Sequence, residues 1–321
     1  MPYSGKSTLF TALTRTGAAG GRANQAVVPV PDPRPAVLAR LEGSKKATPA
    51  QVRFVDVPGG ATAQGLAVLR EMDALCVVVR AFGAGAEPAK ELADITTELL
   101  VADLGVVERS LEHARKRSTV RGGGGGAEID ALERAHAALG EEQSLRDAGL
   151  DDEDRGILRG IALLTLKPWV IVANVEENPG HSVPPGLPSD TLGVWAEIES
   201  EAAALAPEEA GQLLAEFGVT EPGLDRVVAA SYRALDLITF LTTGPNESRA
   251  WEVRRGATAP EAAGVIHSDI QRGFIRAEVI SFQDLVEAGG WNAAQARGAL
   301  RVEGKDYVVR EGDVLYIRFA V

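Results

Sequence analysis

The sequence is poor in several features that define whole classes of protein. Its single cysteine, Cys76, excludes an internal disulfide, and the surrounding LCVVVR predicts a buried thiol in a strand. It has no run of about 18 apolar residues to span a bilayer. Met1 is not followed by the basic, apolar and small-residue segments of a secretory signal. The cytoplasm is therefore the expected compartment.

The charge and length narrow the class further. A formal net charge of −12 argues against broad electrostatic binding to nucleic acid, although a local basic face is compatible with that total. The 321 residues are enough for two or three domains, each with its own core. Hydrophobic residues at 45% and charged residues at 24% are typical of a globular protein.

Three apolar, β-branched runs predict buried parallel strands: VRFVDV from Val52, ALCVVVRAF from Ala74 and PWVIVANV from Pro168. Helical patterns lie between them, so the sequence predicts an α/β domain with helices on both faces of the sheet. The segment from Glu91 to Leu164 has apolar residues at helical spacing instead, and predicts two long helices joined by a glycine-rich connector.

The C-terminal part of the sequence has a different pattern. A helix is predicted over TEPGLDRVVAASYRAL, and the short runs LITFLTT, FIRAEVIS, DYVVREGD and VLYIRFAV that follow it predict strands separated by turns. A small β-rich domain is expected here.

The first residues contain half of a phosphate-binding motif. Gly5, Lys6 and Ser7 match the second half of G-x-x-x-x-G-K-[ST], whereas the first glycine falls one position before Met1. Such a loop surrounds a phosphate with backbone N–H groups at a helix N-terminus. Either this is a chance match or the apolar strand and the first glycine lie upstream; we expect the latter, because a buried central strand must precede the loop.

Two further motifs strengthen this interpretation. Asp56 ends an apolar strand and Gly59 follows three residues later, an arrangement that suits a carboxylate near magnesium and a backbone N–H near the γ-phosphate. A helix cap or turn residue is the alternative for Asp56 alone. Asn174 ends another predicted strand, where ligands bind in open α/β sheets. Together, the motifs predict a P-loop NTPase of the GTPase type.

The tetrapeptide from Asn174 to Glu177 reads N-V-E-E, where GTPases carry N-K-x-D. This N-x-x-E pattern, the VVPVPDPR after the first helix, the helical insertion and the C-terminal RAWEVRRGATAPEAAGVIHSDIQRGFIRAEVISFQDL resemble the Obg-like ATPases, YchF subgroup. The resemblance extends over essentially the whole chain. It implies a P-loop G domain with a parallel sheet, an inserted helical hairpin and a small C-terminal β-grasp (TGS) domain.

The resemblance also implies boundaries and site residues. The expected domains are a split G domain over 1–90 and 165–235, a helical coiled-coil insertion over 91–164 and a TGS domain over 236–321. The expected nucleotide contacts are Tyr3, Ser4, Gly5, Lys6, Ser7, Thr8, Asn174, Val175 and Glu177; the catalytic residues are Lys6, Asp56 and Gly59, and the magnesium ligands are Ser7 and Asp56. The segment VWAEIE near Trp195 stands where the last nucleotide motif is expected, without a residue assignment.

Departures from the family pattern bear on hydrolysis. Tyr3 stands where an asparagine linked to monovalent-cation activation is usual, so no potassium stimulation is expected. The first switch is shortened near Gly20, and Gly60 stands where some GTPases carry a water-orienting glutamine. His113 is a candidate for that role or simply a solvent-facing residue. Arg115, Lys116, Arg117, Arg254, Arg255 and Arg272 are either RNA contacts or a solvated charged surface.

The resulting hypothesis is an ATP-binding, slowly hydrolysing regulatory ATPase that uses Mg²⁺ and acts on ribosomes or translation factors. ATP is expected to bind better than GTP, and ribosome-associated RNA or protein is the expected partner, with no membrane involved. The alternative is a non-hydrolysing nucleotide-dependent or RNA-binding adaptor with a degenerate G domain.

Overall fold

The computed structural model describes residues 4–14, 24–57, 62–121, 125–176, 183–219 and 221–320. The chain forms two compact units. The first comprises Met1–Ala26 and Val55–Val227, and the second comprises Val27–Phe54 and Val228–Val321.

The first unit alternates helices and strands along the chain. Two strands and a helix cross its boundaries, β1 (Asn24–Pro29), β3 (Gln51–Asp56) and α9 (Gly223–Ala234). Its other elements are α1 (Lys6–Thr14), α3 (Ala63–Arg70), β4 (Leu75–Ala81), α4 (Pro88–Arg121), α5 (Gly126–Gly140), α6 (Asp152–Arg159), β5 (Trp169–Val175), β6 (Leu192–Val194), α7 (Ala196–Ala203) and α8 (Pro207–Glu216).

Strands β4, β5 and β6 form a parallel sheet in that order. Leu75 pairs with Trp169 at one end of the β4–β5 ladder and Ala81 with Val175 at the other. The parallel sheet expected from the sequence is therefore confirmed. Strands β1 and β3 pair with each other in a separate two-stranded sheet. The strand expected before Gly5 remains a prediction.

The helical insertion has a core of its own. Helices α4 and α5 pack through buried aliphatic side chains, among them Val107, Leu111 and Leu132. Residues of the following segment, such as Leu158, complete this cluster. The apolar positions at helical spacing in the sequence therefore form an apolar face between the helices, as predicted for this region.

A buried carboxylate joins this insertion to its neighbours. Asp103 of α4 is fully buried and accepts hydrogen bonds from the Arg70 guanidinium at 2.9 Å and from the backbone N–H of Thr165 at 2.7 Å. The same guanidinium donates to the carbonyls of Ala102 and Ala162. A buried charge needs such partners, so the ion pair fixes α4 against the C-terminal end of α3.

The second unit is built around a six-stranded sheet with the strand order β10-β9-β11-β7-β8-β2. Helix α10 packs on one face, over a core that includes Phe240, Val253, Ala263 and Leu315. The elements of this unit are α2 (Arg34–Glu42), β2 (Ala47–Thr48), β7 (Leu237–Thr242), β8 (Ser248–Arg254), α10 (Ala259–Ile266), α11 (Ser268–Arg272), β9 (Phe274–Ser281), α12 (Phe282–Ala288), α13 (Trp291–Ala296), β10 (Arg301–Glu303) and β11 (Asp313–Phe319).

The segment that contains α2 and β2 adds to this sheet from far away in the sequence. Strand β2 pairs in parallel with β8, with Ala47 opposite Ser248. The Ser44 hydroxyl donates to the carbonyl of Gly244 at 2.7 Å, and Glu42 accepts from the backbone N–H of Trp291 at 2.6 Å. Val27–Phe54 therefore belongs to the second compact unit. The domain boundaries that the family resemblance implies, which assign 1–90 to the G domain, remain a prediction.

Three of the four predicted C-terminal strands lie where the sequence predicts them. LITFLTT and FIRAEVIS contain β7 and β9, and VLYIRFAV covers β11 except for its first residue, Asp313. The strand predicted over DYVVREGD is wrong for residues 306–312, which make one isolated bridge, from Val308 to Thr258. The last residue of the segment, Asp313, accepts from the Tyr307 hydroxyl at 2.7 Å and the Arg310 N–H at 2.9 Å, and these bonds fold the segment into a turn before β11. Among the helices that the structure describes, none is long and apolar enough to cross a membrane.

Candidate functional site

The site begins at the N-terminus of α1. Gly5 has a φ of +81°, a left-handed conformation that favours glycine, and its carbonyl accepts the N–H of Leu9 at 2.8 Å. Helix α1 starts at the next residue, Lys6. Because the first backbone N–H groups of a helix have no intrahelical acceptor, this end of α1 is suited to an anion.

Three predicted residues meet at the end of β3. The Ser7 hydroxyl donates to Asp56 Oδ2 at 3.0 Å, and Lys6 Nζ lies 3.3 Å from Asp56 Oδ1. The Lys6 ammonium also donates to the carbonyl of Val57 at 2.5 Å. The structure therefore brings the ammonium group of Lys6 and the hydroxyl of Ser7 into contact with a carboxylate about fifty positions later in the sequence.

The Asp56 carboxylate has capacity for a further ligand. Its side chain is only 7% exposed, and within the described part of the chain Oδ1 accepts no hydrogen bond, although the Lys6 charge is close. A buried carboxylate oxygen without a hydrogen bond is costly. Carboxylate and hydroxyl oxygens are the hard donors that Mg²⁺ prefers, so Asp56 and Ser7 fit the magnesium ion predicted from the sequence.

Asn174 connects the start of the chain to the far side of the sheet. It lies one residue before the end of β5, opposite Val194 of β6, and is buried. Its Nδ2 donates to the carbonyl of Ser4 at 3.2 Å, and its Oδ1 accepts from the N–H of Ala196 at 3.3 Å. A Cβ atom at Gly5 would collide with Asn174 Nδ2, and it would lie 3.3 Å from Asn174 Cγ. The approach of Asn174 to the loop therefore requires glycine at position 5.

The other predicted site residues fall into three groups. Ser4 is buried, and Thr8 is exposed on the first turn of α1. Val175 packs its side chain into the core cluster beneath the sheet, so a contact with a base stays a prediction. Tyr3, Gly59 and Glu177, together with Gly20 and Gly60, lie outside the described residues.

The residues that the sequence suggested for orienting water or binding RNA are exposed or lie in surface ion pairs. His113 is exposed on α4. Arg115 and Arg117 pair with Glu133 and Glu128, and Lys116 pairs with Glu112 one turn away. Arg255 and Arg272 also make surface ion pairs, with Asp236 and Asp269. These pairs favour a solvated charged surface over a dedicated RNA site.

The sequence did not single out the residues that hold the loop between β6 and α7. Ala196 donates to Asn174 and Trp195 is buried, whereas VWAEIE offered no assignment. Glu199 of α7 and Arg226 of α9 contact the same region. The sequence offered one signal for this region, the short apolar run LGVW before a helix. It gave no indication of Glu199 or Arg226, because contacts between helices that are distant in sequence leave no local pattern.

Comparisons with known proteins agree with this geometry. The family model YchF-GTPase_C, described as "Protein of unknown function (DUF933)", matches residues 237–320. The protein named "Ribosome-binding ATPase YchF" from Haemophilus ducreyi is 38% identical over all of this chain and 98% of its own length. The protein of the same name from Bacillus subtilis is 36% identical with the same coverage. The chain belongs to the YchF family.

Solved structures show the same fold. The Schizosaccharomyces pombe YchF GTPase matches with a TM-score of 0.88 and 29% identity, over 99% of this chain and 96% of that one. A GTP binding protein from Pyrococcus horikoshii shares the fold at a TM-score of 0.65 and 18% identity, over 99% of this chain and 98% of that one. The alignment with the Haemophilus ducreyi YchF runs over 354 positions, 33 more than the 321 residues here, so this member carries internal deletions.

We predict that Gly5→Ala destabilises the first unit by about 1–3 kcal/mol, because alanine is strained at this positive φ and its methyl group displaces the Asn174 amide. Thermal unfolding of the purified protein measures the change. Gly105→Ala is the matched control, since this helical glycine has room for a Cβ atom, with Arg109 at 3.5 Å. The control is expected to be neutral or stabilising. Equal unfolding temperatures for Gly5→Ala and the unsubstituted protein would contradict the prediction.

Proposed function

We propose that this chain is an ATP-binding, slowly hydrolysing P-loop ATPase that acts on ribosomes. The observation that carries the proposal is the convergence of Lys6 and Ser7 on the buried carboxylate of Asp56 at the start of α1. Membership of the YchF family supports it, because the relatives from Haemophilus ducreyi and Bacillus subtilis are named ribosome-binding ATPases.

Each residue of this cluster has a distinct role in the proposal. The backbone N–H groups that begin α1 bind phosphate oxygens, and Lys6 neutralises the β- and γ-phosphates. Ser7 and Asp56 hold Mg²⁺, which neutralises the charge of the phosphate oxygens when it is bound. The buried Asp56 Oδ1, which lacks a hydrogen bond within the described residues, supports this role.

The lysine also offers a route from nucleotide to switch. Lys6 Nζ donates to the carbonyl of Val57, the residue directly before the segment that contains Gly59. Phosphate oxygens compete for the same ammonium group, so nucleotide binding releases this carbonyl. The segments Gly20–Pro31 and Gly59–Gly65 then order around the γ-phosphate in our proposal. Thr62 lies within the second segment, where its side chain caps α3 by accepting from the Gly65 N–H at 3.2 Å.

The proposed rate is low because the sequence lacks a residue to orient water where other GTPases have glutamine. Gly60 stands at that position, and His113 lies on the exposed surface of α4. Hydrolysis then depends on phosphate positioning and charge neutralisation alone.

The proposed partner is the ribosome, or RNA or protein associated with it, and the proposed compartment is the cytoplasm. The net charge of −12 opposes non-specific attraction to RNA. Several basic residues of the helical hairpin are already engaged in ion pairs with glutamates. We therefore propose that recognition depends on the shape of a specific contact surface more than on total charge.

We expect Lys6→Ala to lower ATP turnover by at least about tenfold, because one preorganised charge on the phosphates contributes several kcal/mol to the transition state. Phosphate release at high protein concentration measures the turnover. Lys90→Ala, which removes an exposed lysine of α4, is the control and is expected to be unchanged. Turnover that is absent in the unsubstituted protein, or equal in Lys6→Ala, would contradict hydrolysis at this site.

We also predict that ATP binds more tightly than GTP. Guanine recognition uses a carboxylate that accepts from two N–H groups of the base, and here Glu177 replaces the usual aspartate while Val175 replaces the lysine. Competition against a fluorescent nucleotide measures the preference. Glu177→Asp tests the assignment without placing a lysine at the buried position 175, and is expected to narrow the gap between the two nucleotides. A clear preference of the unsubstituted protein for GTP would refute the base assignment.

A further inference from the structure

The loop between β6 and α7 lies next to the proposed nucleotide site. The N–H of Ala196, at the start of α7, donates to Asn174 Oδ1, and Asn174 Nδ2 donates to the carbonyl of Ser4. Within the residues that the structure describes, the Asn174 amide makes these two hydrogen bonds, one to each side of the site. The orientation of this amide therefore depends on where the β6–α7 loop is held.

The first contact that fixes the loop comes from Glu199, one turn beyond Ala196 on α7. Its side chain is buried, and Oε2 accepts the N–H of Leu224 in the first turn of α9 at 2.7 Å. A carboxylate at a helix N-terminus compensates the partial positive charge there. Burial raises the pKa of Glu199, and the N–H groups of Leu224, Gly223 and Trp195 act in the opposite direction.

The second contact comes from α9 itself. Arg226, also in the first turn, donates to the carbonyl of Gly193 on β6 at 2.6 Å. Its Nε is buried and has no hydrogen-bond partner in the part of the chain that the structure describes. Arg226 thus fixes β6 one residue before its end, whereas Glu199 fixes α7, so the two contacts lie on either side of Trp195.

The sequence of α9 is adapted to this close packing. A Cβ atom at Gly223 would lie 2.6 Å from Glu199 Oε1 and 3.0 Å from a methyl group of Val194. Glycine therefore allows the first turn of α9 to approach both the carboxylate and the loop.

We propose that Glu199 and Arg226 are positioning residues for the nucleotide base: together they fix the β6–α7 loop, and through Ala196 they orient the Asn174 amide. This inference rests on the proposed nucleotide function. The phosphate part of the ligand would contact α1, Lys6 and Ser7, and the side chains of Lys6 and Ser7 are held by Val57 and Asp56 and not by α7. The two residues are therefore expected to act more on recognition of the base than on recognition of the phosphates.

The test compares ATP with inorganic tripolyphosphate, a ligand that has the phosphates but no base. Calorimetry in the presence of Mg²⁺ gives both affinities for the full chain. Glu199→Ala is expected to weaken ATP binding about tenfold and to leave tripolyphosphate binding within twofold. Glu199→Gln keeps an acceptor for the Leu224 N–H and is expected to restore most of the ATP affinity. Glu197→Ala, an exposed glutamate of the same helix, is the control.

The outcomes separate the possible errors. An equal loss for both ligands would show that Glu199 is merely structural, and an unchanged ATP affinity would show that the loop does not matter for the base; either overturns the inference. If the unsubstituted protein bound neither ligand, the proposed function itself would fail. If Glu199→Ala does not fold, Arg226→Gln decides by the same comparison, with a selective loss of ATP affinity expected.

Discussion

The candidate site depends on one buried carboxylate, that of Asp56. Two residues near the start of the chain contact it. Asp56 ends β3, and the first residues of α1 reach it with an ammonium group and a hydroxyl. Removing this carboxylate from water is unfavourable unless charges and donors surround it. The position of α1 is therefore tied to the end of β3, and the N–H groups proposed to bind phosphate are tied to the proposed metal ligands.

Two other buried polar contacts extend this constraint through the first unit. Asn174 ties the loop before α1 to the end of β5 and to the start of α7. Asp103 ties the C-terminal end of α3 to α4 through Arg70. Because α3 follows the segment expected to contact the γ-phosphate, this ion pair lies on a continuous path from that segment to the helical hairpin. The path is a physical connection made by packed helices and one buried ion pair.

The sequence was informative wherever local pattern determines structure. The apolar runs before Asp56 and Asn174 are strands, and the helical spacing after Glu91 forms a hairpin with its own core. Motif spacing likewise predicted that Lys6, Ser7 and Asp56 act together, and the structure brings them within hydrogen-bond and ion-pair distance. In these cases side-chain periodicity or a short motif carries the physical information.

One failure is local: DYVVREGD has the composition of a strand, but its own Asp313 accepts from Tyr307 and Arg310, which folds the segment into a turn. The other features that the sequence did not predict are contacts between residues distant in sequence. The pairing of β2 with β8 joins residues about two hundred positions apart. The sequence around β2, ATPAQ from Ala47, has no pattern that predicts this pairing. The contacts of Glu199 and Arg226 with the β6–α7 loop are equally non-local, so a glutamate in an amphipathic helix gave no indication of its role.

The most direct test of the central claim is the magnesium dependence of ATP binding. Calorimetric titrations with ATP in Mg²⁺ and in EDTA, on the unsubstituted protein and on Ser7→Ala, isolate the contribution of the proposed metal ligands. We expect Mg²⁺ to raise the affinity of the unsubstituted protein at least about tenfold, because Ser7 and Asp56 would hold it and it would neutralise phosphate charge. Most of that gain should disappear in Ser7→Ala. An affinity for ATP that is the same with and without Mg²⁺ would contradict the account.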